Sequence, residues 1–418
     1  MTETGAESHA DRAATAAAAS RFRRRRGHDR WTDGTNSDVL RAARELTPLL
    51  REHTDRAERD RTLALPVVEA LAGAGLVGMP RLIGAAAPDP LDFFAAIRTI
   101  AAACPSTGWA TAQLGIATWH VARLKFAVRE EIWSTGSETV VTVSHTPGGK
   151  LVPVEGGYRL EGEWPNVPAV EYAAWACLVA LTTDVQGEAV GLATAIVPKS
   201  DLIEGEYWNT TGLRGTGSKK VTVRRAFVPT HRVNVAGQAA GMDDVGRLSS
   251  LYRCPLGIVY SMAACMPVLG AVQGAYQQHL ERTGRRSALG FAGMRSVVDP
   301  AVQAGLARGL TEIDASILQV ERDLREAVTL AADGAPIPAE LRLRTRRDQV
   351  RATERAVEAM DLLVRSAGSE AVRQGSDLER VWRDIRTAAA HMVNQSEPAL
   401  QLYGRWALGL EIDGMVMV

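Results

Sequence analysis

The chain has 418 residues, 48 basic and 48 acidic side chains, 46 % hydrophobic residues and 5 % aromatics. At roughly 100 to 200 residues per domain, this length holds two or three domains and a large apolar core, so stability needs neither disulfides nor metal. Zero net charge excludes a global field for nucleic acid or acidic lipid, and no stretch approaches the roughly 20 consecutive apolar residues of a membrane-spanning helix.

Residues 1–37 are rich in Ala, Ser and Thr and carry Arg21 and the run Arg23 to Arg26. Such a composition buries no core and reads as a solvated, disordered tail. The segment after the arginines (Gly27, His28, Asp29, Arg30) is not apolar, which argues against a twin-arginine signal. From Ser37 the apolar residues Val39, Leu40, Ala43, Leu46 and Leu50 take helical spacing, and a helical domain is expected over 38–138.

Residues 139–246 read as a small all-β domain. They carry the β-branched run Val140, Val141 and Val143, the turns Gly148-Gly149 and Gly156-Gly157, and short apolar strands at 178–181, 193–197 and 221–223. Helical periodicity then returns over 247–418. Segments near 251–284, 300–332, 338–374 and 377–410 are each long enough for a helix of about 30 residues, separated by turn signals at Gly284, Asp299-Pro300, Gly334 to Pro338 and Gly375. Ser376 and Glu379 have capping-box spacing at the head of the last helix. Four long helices in series predict an antiparallel bundle. Cys104, Cys177, Cys254 and Cys265 form no CxxC pair and read as small buried hydrophobes of a reducing cytoplasm, with no metal site.

Several residues in this frame suit chemistry. The loop Gly212 to Ser218 exposes backbone N–H groups beside Arg214, Thr216 and Ser218, which suits an anionic phosphate; a plain β-turn is the alternative. In the last helix Asp384 and His391 lie two turns apart and so near one face, with Arg380 and Thr387. A neutral imidazole there can accept a proton or orient a hydroxyl, although a helical histidine beside Ala388, Ala389 and Ala390 is more often a surface or satisfied core residue.

Four segments carry a resemblance: Pro105-Ser106-Thr107-Gly108-Trp109, Gly156 to Pro165, Gly212 to Ser218 with Val228-Pro229, and Arg380 to Ile385 followed by His391. In this order and in these domains, the chain from about 38 to 410 resembles the acyl-CoA dehydrogenase superfamily and, within it, the monooxygenases of two-component flavin systems. The resemblance implies a mostly helical α+β fold with an N-terminal helical domain, a central β-barrel and a C-terminal four-helix bundle. It implies an enzyme that takes reduced FMN or FAD from a separate NAD(P)H:flavin reductase and, with O2, hydroxylates an aromatic or polyketide-like molecule, as in antibiotic biosynthesis. Such enzymes are cytoplasmic homotetramers.

By the same resemblance, His391, His120 and Ser144 are catalytic, and Trp109, Trp119, His145 and Asp384 line the substrate pocket. Trp164, Asn166, Val167, Arg214, Thr216 and Ser218 face the flavin. Arg285 and Arg286 reach flavin phosphate from a neighbouring subunit, near Gly368 and Ser369. The sequence departs from the pattern at Pro168-Ala169, where Ser-Gly is usual, and proline supplies neither a hydroxyl nor an N–H. N-oxidation of an amine or amino sugar, and a relative that has lost flavin chemistry, are the alternatives. An acyl-CoA dehydrogenase is disfavoured because Thr387 to His391 contains no carboxylate base.

Overall fold

A computed structural model describes residues 37–77, 89–134, 136, 139–184, 186–235, 249–285 and 299–412. The arginine-rich stretch and Arg286 lie outside them. In chain order the described residues give five helices, eight strands and six helices. The first group is α1 (Asp38–Asp60), α2 (Leu65–Gly73), α3 (Pro90–Ala103), α4 (Pro105–Ala122) and α5 (Phe126–Trp133). Proline opens α3 and α4, where its missing N–H costs nothing, and Asp89 caps α3 by accepting the Leu91 N–H.

The strands are β1 (Val141–Ser144), β2 (Gly149–Val154), β3 (Gly157–Val167), β4 (Trp175–Thr183), β5 (Ala189–Pro198), β6 (Ile203–Tyr207), β7 (Lys219–Pro229) and β8 (Val233–Val235). They form one sheet in the order β6-β7-β3-β2-β4-β5-β8, with β1 added beside β4. The pairs β1–β4 and β2–β4 are parallel and the remaining pairs antiparallel. A barrel was expected; hydrogen bonding among the described residues leaves the sheet open between β6 and β8.

The last group is α6 (Ser250–Arg253), α7 (Leu256–Arg285), α8 (Pro300–Ala332), α9 (Ala339–Ala367), α10 (Asp377–Ala389) and α11 (Ser396–Ala407). Only the helix expected at 300–332 keeps its predicted length. The helix expected from 251 starts as a separate turn because Pro255 follows Cys254, and α9 stops at Gly368, whose φ of +74° suits glycine. Most consequential for the site, the single helix expected over 377–410 breaks at His391 into α10, a 3₁₀ turn at Met392–Asn394 and α11.

Helix α7 is the axis of the main core. Its segment Leu256–Thr283 is long and apolar enough to cross a membrane by length and composition, which the reading of uninterrupted apolar runs missed, but 89 % of the apolar window is buried inside the protein. A helix apolar all round belongs in a core. It meets α3 backbone to backbone: a Cβ on Gly270 would sit 2.2 Å from the Arg98 carbonyl oxygen, and one on Gly274 2.2 Å from that of Ala102. The four cysteines are free and buried, as expected.

Candidate active site

Where α4, α7, the end of α10 and the sheet converge, the described residues enclose a cavity of about 510 Å³. Each element contributes a few side chains. Trp109 and Gln113, one turn apart on α4, form one wall, and β1 brings Ser144 and His145 to its end. Tyr260 comes from α7, while Thr387, His391 and Met392 come from α10 and the turn after it. Asn166, Pro168, Trp208 and Ser218 close the sheet side.

Three imidazoles gather here. His120 Nε2 lies 3.1 Å from His145 Nε2, a hydrogen bond in which one ring donates and the other accepts. The His145 ring stacks on Tyr260 at 4.2 Å between centroids, and Tyr260 meets His391 edge-on at 6.2 Å. His391 also stands edge-on to Trp109 at 5.4 Å. Burial drives the pKa of His391 down to about 4, helped by the Arg346 charge, and that of His120 to about 4, helped by Arg123. His145 falls well below the usual range, first through burial and then through its two histidine neighbours. All three are therefore neutral at pH 7. Burial pushes the Tyr260 phenol up, so it keeps its proton.

The break at His391 makes this possible. Had α10 continued, Asp384 and His391 would share a face; instead His391 adopts an extended conformation (φ −63°, ψ 139°) and turns to the cavity. Asp384 does not line the cavity. It is 1 % exposed and accepts the Leu213 N–H at 2.5 Å, which ties the loop after β6 to α10. Burial raises its pKa to about 7, the Leu213 bond opposing and Glu58 adding to the shift. Trp119 and His120 likewise stand behind the wall: the Trp119 indole N–H donates to the Leu251 carbonyl at 3.2 Å, and its ring packs edge-on against His120 at 5.2 Å.

The sheet side differs from expectation in several residues. Trp164 and Val167 are fully buried in the β core, and the Trp164 indole N–H donates to the Val179 carbonyl at 2.8 Å. Thr216 is buried between the Leu213 carbonyl and the Ser218 hydroxyl. The glycines of this loop serve close packing: a Cβ on Gly212 would lie 2.3 Å from the Arg383 carbonyl oxygen, and one on Gly215 3.0 Å from Ala57. Arg214 lines a second cavity of about 650 Å³ with Arg59, Arg380 and Arg383, joined to the first through Thr210 and Thr211. Its guanidinium lies 3.8 Å from the Glu58 carboxylate. Gly368 and Ser369 are exposed and line neither cavity, and Arg285 is the last residue of α7.

Pro168 is on the wall, and the segment's polar groups are satisfied internally: the Pro168 carbonyl accepts the Thr142 hydroxyl at 2.5 Å, and the Ala169 N–H donates to the Thr216 carbonyl at 3.1 Å. Tyr260, Gln113 and Trp208 were missed in the sequence. The Gln113 amide nitrogen lines this cavity and is buried without a hydrogen-bond partner among the described residues.

Residues 262–396 match the family model described as acyl-CoA dehydrogenase, C-terminal domain. The chain is 34 % identical over 377 residues to the flavin-dependent monooxygenase oxygenase subunit HsaA of Rhodococcus jostii (strain RHA1), covering 89 % of this chain and 98 % of that one. It is 27 % identical over 383 residues to the oxygenase component of the FADH2-dependent resorcinol hydroxylase of Rhizobium sp. (strain MTP-10005), covering 88 % and 93 %. Among solved structures, 3-HSA hydroxylase from Rhodococcus sp. RHA1 superposes with a TM-score of 0.85 at 33 % identity, covering 92 % of this chain and 99 % of that one.

Proposed function

The chain belongs to the oxygenase subunits of flavin-dependent monooxygenases, and from that premise we propose that the 510 Å³ cavity holds the ring of a reduced flavin beside a phenolic small molecule, which it hydroxylates. The observation that carries this reading is the trio of neutral imidazoles at the end of an aromatic-walled cavity, with His391 held out of its helix toward the ligand space. A concave pocket of this size, in which Trp109, Val143, Pro168 and Leu213 alternate with polar side chains, is large enough for a small-molecule site.

The wall suits a flavin. The ring finds a flat apolar surface at Pro168 and Trp208, with Asn166 and Ser218 to meet its polar edge. The loss of the usual Ser-Gly pair leaves no orphaned backbone group there, because Thr142 and Thr216 satisfy the segment. Arg214 lines the adjoining cavity with Arg59, Arg380 and Arg383, and this group of guanidinium side chains supports it as the partner of the flavin phosphate. Arg285, Arg286, Gly368 and Ser369 enter this proposal only through a neighbouring copy in a homotetramer. When bound, the reduced flavin supplies two electrons to O2, so that one oxygen atom enters the substrate ring and the other leaves as water.

The chain's own residues bind, orient and exclude water. Trp109 and Tyr260 supply aromatic wall where a substrate ring lies, His391 and His145 meet its oxygen substituent, and Ser144 adds a hydroxyl. Reduced flavin arrives from a separate reductase, as the name of an oxygenase subunit implies. The test is to mix purified protein with chemically reduced FMN or FAD, air-saturated buffer and a panel of phenols. Tight binding of reduced flavin and a product heavier by one oxygen atom are expected. Absence of both overturns the reading, and oxidation at nitrogen of an amine would replace it.

A further inference from the structure

The turn after α10 is held by a buried polar chain from the neighbouring helix. Arg346 on α9 donates to the Val393 carbonyl and to the Gln349 side-chain oxygen. Gln349 donates to the Asn394 side-chain oxygen at 2.5 Å, and Asn394 donates to the Ala388 carbonyl at 2.7 Å, closing the end of α10. Gln349 is fully buried and Asn394 4 % exposed. Within this clamp the Val393 backbone N–H points at the His391 ring and donates to Nδ1 at 3.3 Å.

A nitrogen that accepts an N–H carries no proton of its own, so a neutral His391 has its hydrogen on Nε2. We propose that Arg346, Gln349 and Asn394 are positioning residues which fix His391 as a hydrogen-bond donor through Nε2–H toward the oxygen of the aromatic substrate. The ring then orients the substrate oxygen and does not take its proton.

The other groups facing His391 agree. From α7, Tyr260 keeps its proton; from β1, His145 resists protonation; from α4, Trp109 is apolar; from α9, the Arg346 cation further disfavours an imidazolium. From α10, Arg386 is paired with Asp361.

The substrate part of this inference rests on the hydroxylase reading; the tautomer does not, and the two are measured separately. Long-range proton–nitrogen NMR of the full chain with ¹⁵N-labelled histidine, without flavin or substrate, is expected to show His391 protonated at Nε2 only, its signal identified by its loss in His391→Gln. Asn394→Ala and Arg346→Gln are expected to let the Nδ1–H form appear and to lower kcat on the order of tenfold, with reduced-flavin affinity unchanged and Arg346→Lys partly restoring the rate. An Nδ1–H signal in the wild-type protein overturns the proposal whatever the variants do. Unchanged tautomer and rate in both variants overturn the positioning role.

Discussion

The two sides of the cavity treat their polar groups in opposite ways. On the helical side, His391 and His145 stand at the wall with a ring nitrogen not spent on each other, and the Gln113 amide nitrogen has no partner. On the sheet side, the Pro168 carbonyl, the Ala169 N–H, Thr216 and the Leu213 N–H are all bonded within the protein. An unmade buried hydrogen bond costs on the order of 1 to 3 kcal/mol, so groups left open are open for a ligand, whereas satisfied groups supply shape. The helical side is thus the place of chemical discrimination, and the sheet side, Asn166 apart, a platform of satisfied groups.

Substitutions on the two sides should separate accordingly. The largest effect is expected from His391→Ala: removing one preorganised donor lowers kcat by about two orders of magnitude while reduced-flavin affinity, measured by anaerobic titration, stays unchanged. A parallel loss of flavin binding would erase the distinction between the two sides. His120→Phe, which keeps a ring against Trp119 but removes the partner of His145, is expected to lower kcat/KM about tenfold in steady-state assays.

Asp384 sharpens the comparison through stability. Its folded pKa of about 7 lies above the ordinary carboxylate value, so the folded state binds the proton more tightly than the unfolded chain. That contribution is present at acidic pH and is lost as pH rises from about 4 through about 7. Denaturant midpoints of Asp384→Asn should therefore decline less over this window than those of the parent, and equal slopes would contradict the assignment. The smallest effect is expected at Pro168→Ser: with its neighbours already bonded, the new hydroxyl adds at most one hydrogen bond, and reduced flavin tightens less than about tenfold.

The order of helices, strands and helices was legible because periods of 3.6 and 2 leave separate signatures, and the gathering of Trp109, His145 and His391 was legible through family-like motifs. The break at His391 was not. Ala388, Ala389 and Ala390 are strong helix formers, and what ends the helix is a set of side chains more than forty positions upstream on α9. Trp164 was misplaced for another reason. Strand β3 shifts register between Leu160 and Gly162 and again between Trp164 and Val167, so simple alternation does not tell which face a side chain takes. Tyr260 was hidden by its company in an apolar helix segment that reads as core throughout.

The contact between α3 and α7 at Gly270 and Gly274 bears on how such an enzyme changes its substrate. Because main chain touches main chain there, neither position admits a larger residue, and the helix that presents Tyr260 is fixed in depth. Gln113, Trp208 and Met392, by contrast, line the cavity and take no part in this main-chain contact. A directed library that varies these three and spares the two glycines alters what the cavity accepts without moving the frame that holds it, and adaptation to a new phenol should accumulate at the former and never at the latter.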